Sequence, residues 1–437
     1  MATYFRSPIF LYGTMSKGKL LLRGGILVGE GNKRRGDVLI CDGVITAIAE
    51  HIEPSEDVQC IDVEGRVVTY GLADVHVHLR EPGFSAKERI ATGSMAAACG
   101  GFTTVCTMPN LNPVPDSVDT IAVEQAMIDR DAVIEVLPYA AITLGRAGDE
   151  IVNIEELKDR AVGFSDDGSG VQNDAVMLEA MRCIAAVDGI IAAHCEDNTL
   201  LHGGYIHDGE YARSHSHRGI CSESEWGQIV RDIELVKESG CRYHVCHISA
   251  RESVEAIRRA KQAGLSVTCE TAPHYLALCD ADLQEDGRFK MNPPLRSADD
   301  KAALIEGIKD GTIEIIATDH APHTAAEKSL GLERSAMGIV GLETSFGVVY
   351  TTLVRQGVIT LEKMIELMCD NPRRIFRLGG ALRVGERADI AVFDVEHPYC
   401  VDSNQFKTMG RSTPFEGWQL YGSCIMTIHN GDIVWQK

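Results

Sequence analysis

The chain has 437 residues, of which 45% are hydrophobic and 24% charged, a composition typical of a globular protein rather than a disordered one. Lys and Arg number 42 against 63 Asp and Glu, giving a formal net charge of −21. So acidic a surface argues against nucleic acid and anionic membranes as partners. The 14 cysteines form no CxxC pair. With no export signal and no membrane-spanning stretch expected, they predict reduced thiols in a cytoplasmic protein.

Both ends of the chain predict β-structure. Short alternating apolar runs, split by Gly and Asp turns, occur in GDVLICDGVITAIA near the start and in ADIAVFDVEHPYCV near the end. We therefore expect one discontinuous β-sandwich domain built from residues 1–68 and 380–437, beside a central domain of residues 69–379.

The central part alternates strand and helix signals. Helical stretches such as DAVMLEAMRCIAAV and ESVEAIRRAKQAG lie between apolar strand candidates. The strand candidates are ADVHVHL, FTTVCTM, VIEVLPYAAI, AVGFSDD, IIAAHCE, YHVCHIS, SVTCETAPHYL and IEIIATDHAP. Eight such units predict an α/β fold, a (β/α)8 TIM-type barrel.

Polar residues stand at the ends of several of these strands. In ADVHVHLREPG, an extended strand would place His76, His78 and Arg80 on one face. Asp167 follows His76 by about three barrel units, at about 31 residues per unit. His194, His247 and Asp319 then follow at intervals of roughly one or two units, once an insertion after His194 is allowed for. We therefore expect these side chains to meet at the C-terminal mouth of the barrel, where barrel enzymes keep their active sites.

Imidazoles and carboxylates gathered in this way predict a site for divalent metal, Zn²⁺ first. A polar side chain in an apolar run is costly to bury unless it is paired or bound to metal. Six ligands are more than one tetrahedral zinc binds, which implies two metals about 3.5–4 Å apart with an anionic ligand that bridges them. Asp166 and Asp167 are the candidates for that bridge, and strand alternation lets only one of them face inward.

The remaining histidines and the neighbouring cysteines have other expected roles. His274 and His320 are expected to support the ligands or the fold rather than bind metal. Cys195 and Cys246 are expected to be core residues. The histidines of the polar insertion are expected to be solvent-exposed: His202, His207, His215 and His217.

Six motifs carry a resemblance to a known family: DVHVHLREPG, CTMPNLNPVPD, FSDDG, HCED, KMNPPLR and TDHAPH. Together they resemble the amidohydrolase superfamily and, within it, bacterial dihydroorotases whose barrel sits against a split β domain. Many members of the superfamily bridge two metals with a carboxylated lysine. This chain has Asp167 there, as close relatives do, and the shorter bridge also leaves single-metal occupancy open.

The resemblance implies a role for each matching position. His76 and His78 would bind one metal, His194 and His247 the other, and Asp319 would bind metal and carry the proton. The implied substrate-binding residues are His78, Arg80, Asn110, Asn292, His323, Met337 and Gly338. The implied reaction is the reversible cyclisation of N-carbamoyl-L-aspartate to dihydroorotate plus water.

Two other readings remain open. Allantoinases and hydantoinases are similar, but their substrates lack the ring carboxylate that Arg80 would bind. An inactive homologue serving aspartate transcarbamoylase would be expected to have lost ligands, and this chain keeps all six. We further expect a small-molecule substrate and a homodimer, and leave an association with aspartate transcarbamoylase open.

Overall fold

The computed structural model describes residues 18–437, and the start of the chain, where we expect no export signal, lies outside the described residues. Within residues 18–437, no helix combines the length and the apolar character that crossing a membrane requires. The strands lie in three groups, which are a terminal sheet, a barrel and a short pair in the insertion. In chain order they are β1 Lys19–Gly29, β2 Asn32–Cys41, β3 Val44–Ala49, β4 Val58–Asp62, β5 Val67–Tyr70, β6 Leu72–Val77, β7 Phe102–Thr107, β8 Glu135–Pro138, β9 Ile190–Ala193, β10 Ile206–His207, β11 Gly219–Ile220, β12 Arg242–Val245, β13 Val267–Thr271, β14 Ile315–Ile316, β15 Ile390–Cys400, β16 Gln419–His429 and β17 Asp432–Gln436.

The helices lie mainly between the barrel strands, and several begin at a side-chain cap. Ser117 and Ser297 accept hydrogen bonds from backbone N–H groups of the first turns of α2 and α9, which supplies partners that the helix itself lacks. In chain order the helices are α1 Ile90–Cys99, α2 Val118–Asp131, α3 Ile154–Leu157, α4 Asp174–Ala186, α5 Glu210–His215, α6 Glu223–Ser239, α7 Arg251–Gln262, α8 Pro273–Ala277, α9 Ala298–Lys309, α10 Ala325–Lys328, α11 Gly331–Arg334, α12 Ser345–Val349, α13 Leu361–Ile365 and α14 Asn371–Phe376.

The barrel closes through parallel pairing all the way round. Strands β6, β7 and β8 pair in order, and so do β9, β12, β13 and β14. Phe164 joins the two groups through bridges to Ala140 and Ile191, and Val77 pairs with His320 to close the ring. The predicted (β/α)8 barrel is confirmed, although the fourth strand position, around Phe164, is held by isolated bridges rather than by a regular strand.

One predicted strand ends earlier than the sequence pattern indicated. The run SVTCETAPHYL forms β13 only as far as Thr271, and Pro273–Ala277 turns into α8. Proline at the start of a helix has the required φ and lacks only an N–H that would have had no intrahelical partner. His274 therefore lies on a helix above the strand end and is buried.

The terminal strands form one sheet in the order β17-β16-β15-β5-β1-β2-β3, with β4 pairing with β1. Apolar side chains from strands across this sheet pack into a core of their own, which includes Leu22, Ile40, Val68, Val392 and Ile428. The predicted β domain built from both ends of the chain is thus present. The exact boundaries at 68/69 and 379/380 stay predictions.

One expectation for the insertion was wrong. His202 and His215 are exposed and His217 is half-buried, but His207 is buried. The reason is local pairing, because His207 lies in β10, which pairs with β11, and its imidazole lies 3.5 Å from the Arg296 guanidinium. Burial and the positive charge of Arg296 lower the pKa of His207 to about 4, so this side chain is neutral at pH 7.

Glu124 on α2 gives a stability prediction. It is buried, neither carboxylate oxygen has a hydrogen-bond partner among residues 18–437, and burial raises its pKa well above the usual value. Glu124→Met should therefore raise the free energy of unfolding by about 1–3 kcal/mol at pH 7, because an unpartnered polar group is removed. Urea unfolding of both proteins measures the difference.

The gain from Glu124→Met should depend on pH. Glu124 stays protonated in the folded state but ionises in the unfolded state above about pH 4.5, so the native protein binds the extra proton and the wild type loses stability as the pH rises. The difference between the variants should therefore be smaller at pH 4 than at pH 8. A variant no more stable than wild type at pH 8 would contradict this account.

Candidate functional site

The predicted ligands meet at the C-terminal mouth of the barrel. His76 is near the end of β6, His194 directly follows β9, and His247 and Asp319 follow β12 and β14 by a few residues. Asp167 comes three residues after Phe164, the residue that takes the place of a fourth strand. All six predicted ligands, His78 included, are buried. The structure thus brings together residues that are up to 243 positions apart in the sequence.

Asp167 lies between the two histidine pairs. Its Oδ1 is 3.4 Å from His76 Nε2, 3.6 Å from His194 Nδ1 and 3.5 Å from His247 Nε2. Its Oδ2 is 3.6 Å from His78 Nε2. The carboxylate therefore faces both pairs, which is the arrangement that a bridge between two metals requires.

Asp319 completes the cluster on the side of the first pair. Its Oδ1 is 3.2 Å from His78 Nε2 and 3.6 Å from His76 Nε2. Burial opposes ionisation of this carboxyl, but the hydrogen bond with His78 and the charges of His76 and His247 outweigh it and lower its pKa. Asp319 is therefore ionised at neutral pH, the form that can accept a proton.

The donor set fits a divalent metal. Ligand atoms of His76, His78 and Asp167 lie within 4.8 Å of one another, and so do those of Asp167, His194 and His247. Within residues 18–437, His76 Nε2 and Asp167 Oδ1 are buried without a hydrogen-bond partner, a costly state that metal coordination would relieve. His194 Nδ1 and His247 Nε2 lie 3.0 Å apart, within hydrogen-bond distance and close enough for both nitrogens to bind one cation.

A third grouping, of His76, Cys246 and Glu270, is also compact, but its chemistry differs. Burial raises the pKa of the Cys246 thiol, which favours the protonated form that packs as a small hydrophobic side chain. Cys246 packs with Val75 and Tyr139 in an apolar cluster contributed by several barrel strands, and Cys195 is buried as well. Both cysteines lie in the core, as expected.

Backbone irregularities direct the ligands into the mouth. The register of β6 shifts between Asp74 and Val77, a bulge that lets His76 reach the site from a strand whose Val75 packs in the interior cluster. Arg80, His247 and Asp319 have φ values of 63°, 35° and 48°, in the left-handed region that non-glycine residues rarely adopt. Such strain persists where the surrounding structure enforces it, most often at functional sites.

The two adjacent aspartates have separate partners. Asp166 turns away from the cluster and accepts hydrogen bonds from Ile142 N at 2.8 Å and Thr143 N at 3.2 Å, as well as from the Thr143 hydroxyl. It anchors the loop after β8, whereas Asp167 faces the histidines. As the alternation of side chains along an extended chain predicts, only one of the two aspartates faces the histidines.

This arrangement predicts opposite effects for two substitutions. Asp167→Ala should abolish binding at one or both metal positions, because it removes the carboxylate shared by both histidine pairs. The Asp166→Asn variant should keep its metal, since the Asp166 side chain contacts backbone and hydroxyl groups of the loop rather than the predicted ligands. Elemental analysis of the purified variants measures metal content. Equal metal in the two variants would rule out Asp167 as the bridge.

The predicted substrate-binding residues surround the cluster. Arg80 is buried, with Nε donating to Pro322 O at 3.2 Å and Nη2 lying 3.4 Å from His323 Nε2. His323 Nε2 is also 2.8 Å from Met337 O, which ties this side of the mouth to the loop that carries Gly338. Burial lowers the pKa of Arg80 to about 10, so the guanidinium remains charged at neutral pH.

Glycine is required at position 338. Its φ is 133°, and a Cβ atom there would lie 2.7 Å from the carbonyl oxygen of Ala321. The backbone of this loop therefore approaches the β14 side of the mouth more closely than any other residue would allow.

The two predicted asparagines make different contacts. Asn110 Oδ1 accepts from His78 Nδ1 at 2.9 Å, so this side chain orients a predicted ligand. Asn292 Nδ2 donates to Glu196 Oε2 at 3.1 Å, and its Oδ1 is buried with no partner in the part of the chain that the structure describes. The unpartnered oxygen of Asn292 is thus a hydrogen-bond acceptor available at the site.

Several polar residues of the site were not predicted. Glu270 Oε1 lies 2.7 Å from His76 Nδ1, His244 contacts Glu270, and Glu196 holds Asn292. Glu270 and His244 resemble the ligands in being ionisable side chains within predicted barrel strands, which are largely buried in the structure. Of the two expected supporting histidines, His320 Nε2 lies 3.3 Å from the Thr408 hydroxyl, and His274 is buried with Nε2 unpartnered among the described residues.

Comparison with known proteins agrees with this geometry. A family model described as dihydro-orotase-like matches residues 65–253. The chain is 51% identical over 413 residues to a dihydroorotase of Bacillus caldolyticus, covering 93% of this chain and 96% of that protein. It is 48% identical over 426 residues to a dihydroorotase of Geobacillus sp. (strain WCH70), covering 97% of this chain and 98% of that protein.

Solved structures show the same fold. The L-hydantoinase from Arthrobacter aurescens is 28% identical with a TM-score of 0.86, and 96% of each chain is covered. A dihydropyrimidinase from Brevibacillus agri is 22% identical with a TM-score of 0.82, covering 96% of this chain and 95% of that one. Because the similarity to the dihydroorotases is near half identity over almost the whole length, the chain belongs to the dihydroorotase family of cyclic amidohydrolases.

Proposed function

We propose that the protein is a dihydroorotase that catalyses the reversible closure of N-carbamoyl-L-aspartate to L-dihydroorotate with release of water, a step of pyrimidine biosynthesis. The observation that carries this proposal is Arg80, a buried cation beside a cluster of four histidines and two aspartates, in a chain 51% identical to a dihydroorotase. The cluster suits amide hydrolysis, and the arginine suits a substrate that carries a carboxylate.

The metal we propose is Zn²⁺, at two positions. His76 and His78 would hold one ion and His194 and His247 the other, with Asp167 between them and Asp319 on the side of the first. When bound, Zn²⁺ supplies Lewis acidity, which lowers the pKa of water and polarises an amide carbonyl. Single occupancy is the alternative that the short aspartate bridge leaves open.

Asp319 moves the proton. In the hydrolytic direction its carboxylate accepts a proton from the attacking water and delivers it to the ring nitrogen that leaves, so it acts first as base and then as acid. In the direction of ring closure the same carboxylate removes the proton from the attacking carbamoyl nitrogen. Its lowered pKa keeps it ionised at the start of hydrolysis.

The other residues orient the substrate. Arg80 Nε donates to Pro322 O within the protein, and a guanidinium has five N–H donors, so its fork can also pair with the substrate carboxylate. Asn292 Oδ1, held by Glu196, would accept from a ring N–H. His323 and the backbone at Met337 and Gly338 would close over the ring.

A second candidate is hydrolysis of hydantoin-like rings. It is favoured by the TM-score of 0.86 to an L-hydantoinase. Those rings lack a carboxylate, so the buried Arg80 guanidinium would have no anionic substrate group to pair with in the bound complex. An inactive homologue is disfavoured because all six predicted ligands meet at one site.

The deciding experiment is a spectrophotometric assay of dihydroorotate hydrolysis, with metal analysis of the same sample. We expect turnover with dihydroorotate and Zn²⁺ in the protein. Protein that opened hydantoins but not dihydroorotate would overturn the assignment. A homodimeric state, a cytoplasmic location and an association with aspartate transcarbamoylase remain predictions, which sedimentation and co-purification would test.

A further inference from the structure

Behind His76, a chain of hydrogen bonds runs along the inside of the barrel. Glu270 on β13 places Oε1 2.7 Å from His76 Nδ1 and Oε2 3.1 Å from His244 Nε2. His244 Nδ1 lies 2.8 Å from the Thr268 hydroxyl oxygen, nearer the start of the same strand. His76, His244 and Glu270 are all buried. These hydrogen bonds thus link a predicted ligand to three residues that lie outside the metal cluster.

The chemistry of the groups sets the direction of each hydrogen bond. An ionised carboxylate only accepts, so His76 Nδ1–H and His244 Nε2–H must both donate to Glu270. A neutral His76 protonated on Nδ1 has its lone pair on Nε2, the atom that faces Asp167 at 3.4 Å. His244 Nδ1 then faces the Thr268 hydroxyl, which can both donate and accept.

A further contact ties Glu270 to the second histidine pair. The backbone N–H of His247 donates to Glu270 Oε1 at 3.3 Å, at a residue whose φ is 35°. The same oxygen therefore holds the ring of one predicted ligand and the strained backbone of another. Removing this carboxylate would loosen both ligands at once.

We propose that Glu270 is a positioning residue for the metal centre, held in place by His244 and Thr268. It fixes the ring and the tautomer of His76 so that Nε2 is free to bind metal, and it makes that nitrogen more basic. It touches neither substrate nor metal. The proposal rests on the metal-dependent hydrolysis proposed above.

The test compares two substitutions within this set of hydrogen bonds with one control substitution elsewhere. Glu270→Gln keeps the size of the side chain but brings an NH₂ group against one of the two imidazole N–H groups. Thr268→Val removes only the hydroxyl at the far end of the chain. The control is Glu124→Gln, because Glu124 is also a buried carboxyl but lies on α2 and contacts none of these residues.

Three quantities are measured. The dissociation constant for Zn²⁺ is obtained by competition with a chromophoric chelator, and the absorption spectrum of the Co²⁺-substituted protein reports ligand geometry. Kinetic constants for dihydroorotate are measured at saturating Zn²⁺. For Glu270→Gln we expect Zn²⁺ binding weaker by about 10- to 100-fold, a changed Co²⁺ spectrum, and a lower kcat with little change in KM. Thr268→Val should weaken Zn²⁺ binding in the same direction by a smaller factor, and Glu124→Gln should match wild type.

Zn²⁺ affinity equal to wild type in Glu270→Gln would overturn the proposal, and so would an equal loss in Glu124→Gln. If Glu270→Gln does not fold, Thr268→Val tests the proposal instead. Unchanged Zn²⁺ affinity in Thr268→Val would mean that these hydrogen bonds have no effect on metal binding, and this would overturn the proposal. A failure of the proposed function is seen separately. Wild-type protein that binds Zn²⁺ but does not hydrolyse dihydroorotate would refute the substrate, while the Zn²⁺ affinities would still test the role of Glu270.

Discussion

Asp319→Asn is expected to lower kcat for dihydroorotate by a factor of about 10² or more, because the amide cannot accept and return the proton that general acid–base catalysis requires. The side chain keeps nearly the same shape, and its position at the barrel mouth lies outside the packed interior, so the fold should remain intact. Steady-state rates in both directions, hydrolysis and ring closure, measure the loss. Both should fall, since one carboxylate serves both.

Metal content must be measured in the same samples, because Asp319 is also a predicted ligand. Rates are compared at matched Zn²⁺ occupancy, and Glu124→Gln serves as a control for the loss of a buried carboxyl away from the mouth. Near-normal turnover of Asp319→Asn at full occupancy would exclude it as the proton carrier. Loss of activity explained entirely by loss of metal would assign it a ligand role alone.

The barrel could be predicted from the sequence because its signals are local. Apolar strand runs followed by capped helices recur along the centre of the chain, and a costly polar residue closes several of the strands. His194 and Asp319 were placed at the mouth by this reasoning. The sequence also predicts that only one of Asp166 and Asp167 faces the metal site, because neighbouring residues on an extended chain face opposite ways.

The positions that the sequence did not predict are those where the backbone departs from a regular strand. His76 and His78 both face Asp167, as expected of one strand face. Arg80 lies beyond the end of β6 at Val77, however, and has a left-handed φ rather than the extended backbone that was expected. His244 and His247 are three residues apart and would face opposite ways on a regular strand. Both point inward because His247 also has a positive φ. The alternation of side chains along a regular strand does not predict these backbone conformations.

Glu270 was missed for a different reason. Its partner His76 is 194 residues away in the sequence, so nothing nearby in the chain indicates the pairing. A carboxylate inside a strand that the barrel buries needs a partner, but only the closed barrel identifies that partner. The buried position of His207 likewise depends on Arg296, which lies 89 residues away.

Arg80→Met is expected to lower kcat/KM for dihydroorotate by roughly 30- to several-thousand-fold, with metal content unchanged. Loss of one partner from a buried, hydrogen-bonded charge pair costs about 2–5 kcal/mol, at 1.4 kcal/mol per factor of ten. The protein carries a net charge of −21, so attraction of an anionic substrate must come from such local positive charge. Steady-state kinetics with elemental analysis of the same samples measure both quantities.

Two controls separate the role of Arg80 in binding the carboxylate from a general disturbance of the site. Arg80→Lys should recover only part of the loss, because a single ammonium cannot reproduce the two parallel hydrogen bonds of the guanidinium. Any residual activity toward hydantoin, which has no carboxylate, should change little in Arg80→Met. An equal loss for charged and uncharged rings would mean that Arg80 supports the mouth, through Pro322 and His323, rather than selecting the substrate. The reading of this chain as a dihydroorotase instead of a hydantoinase depends on that difference, because the carboxylate is what distinguishes the two substrates.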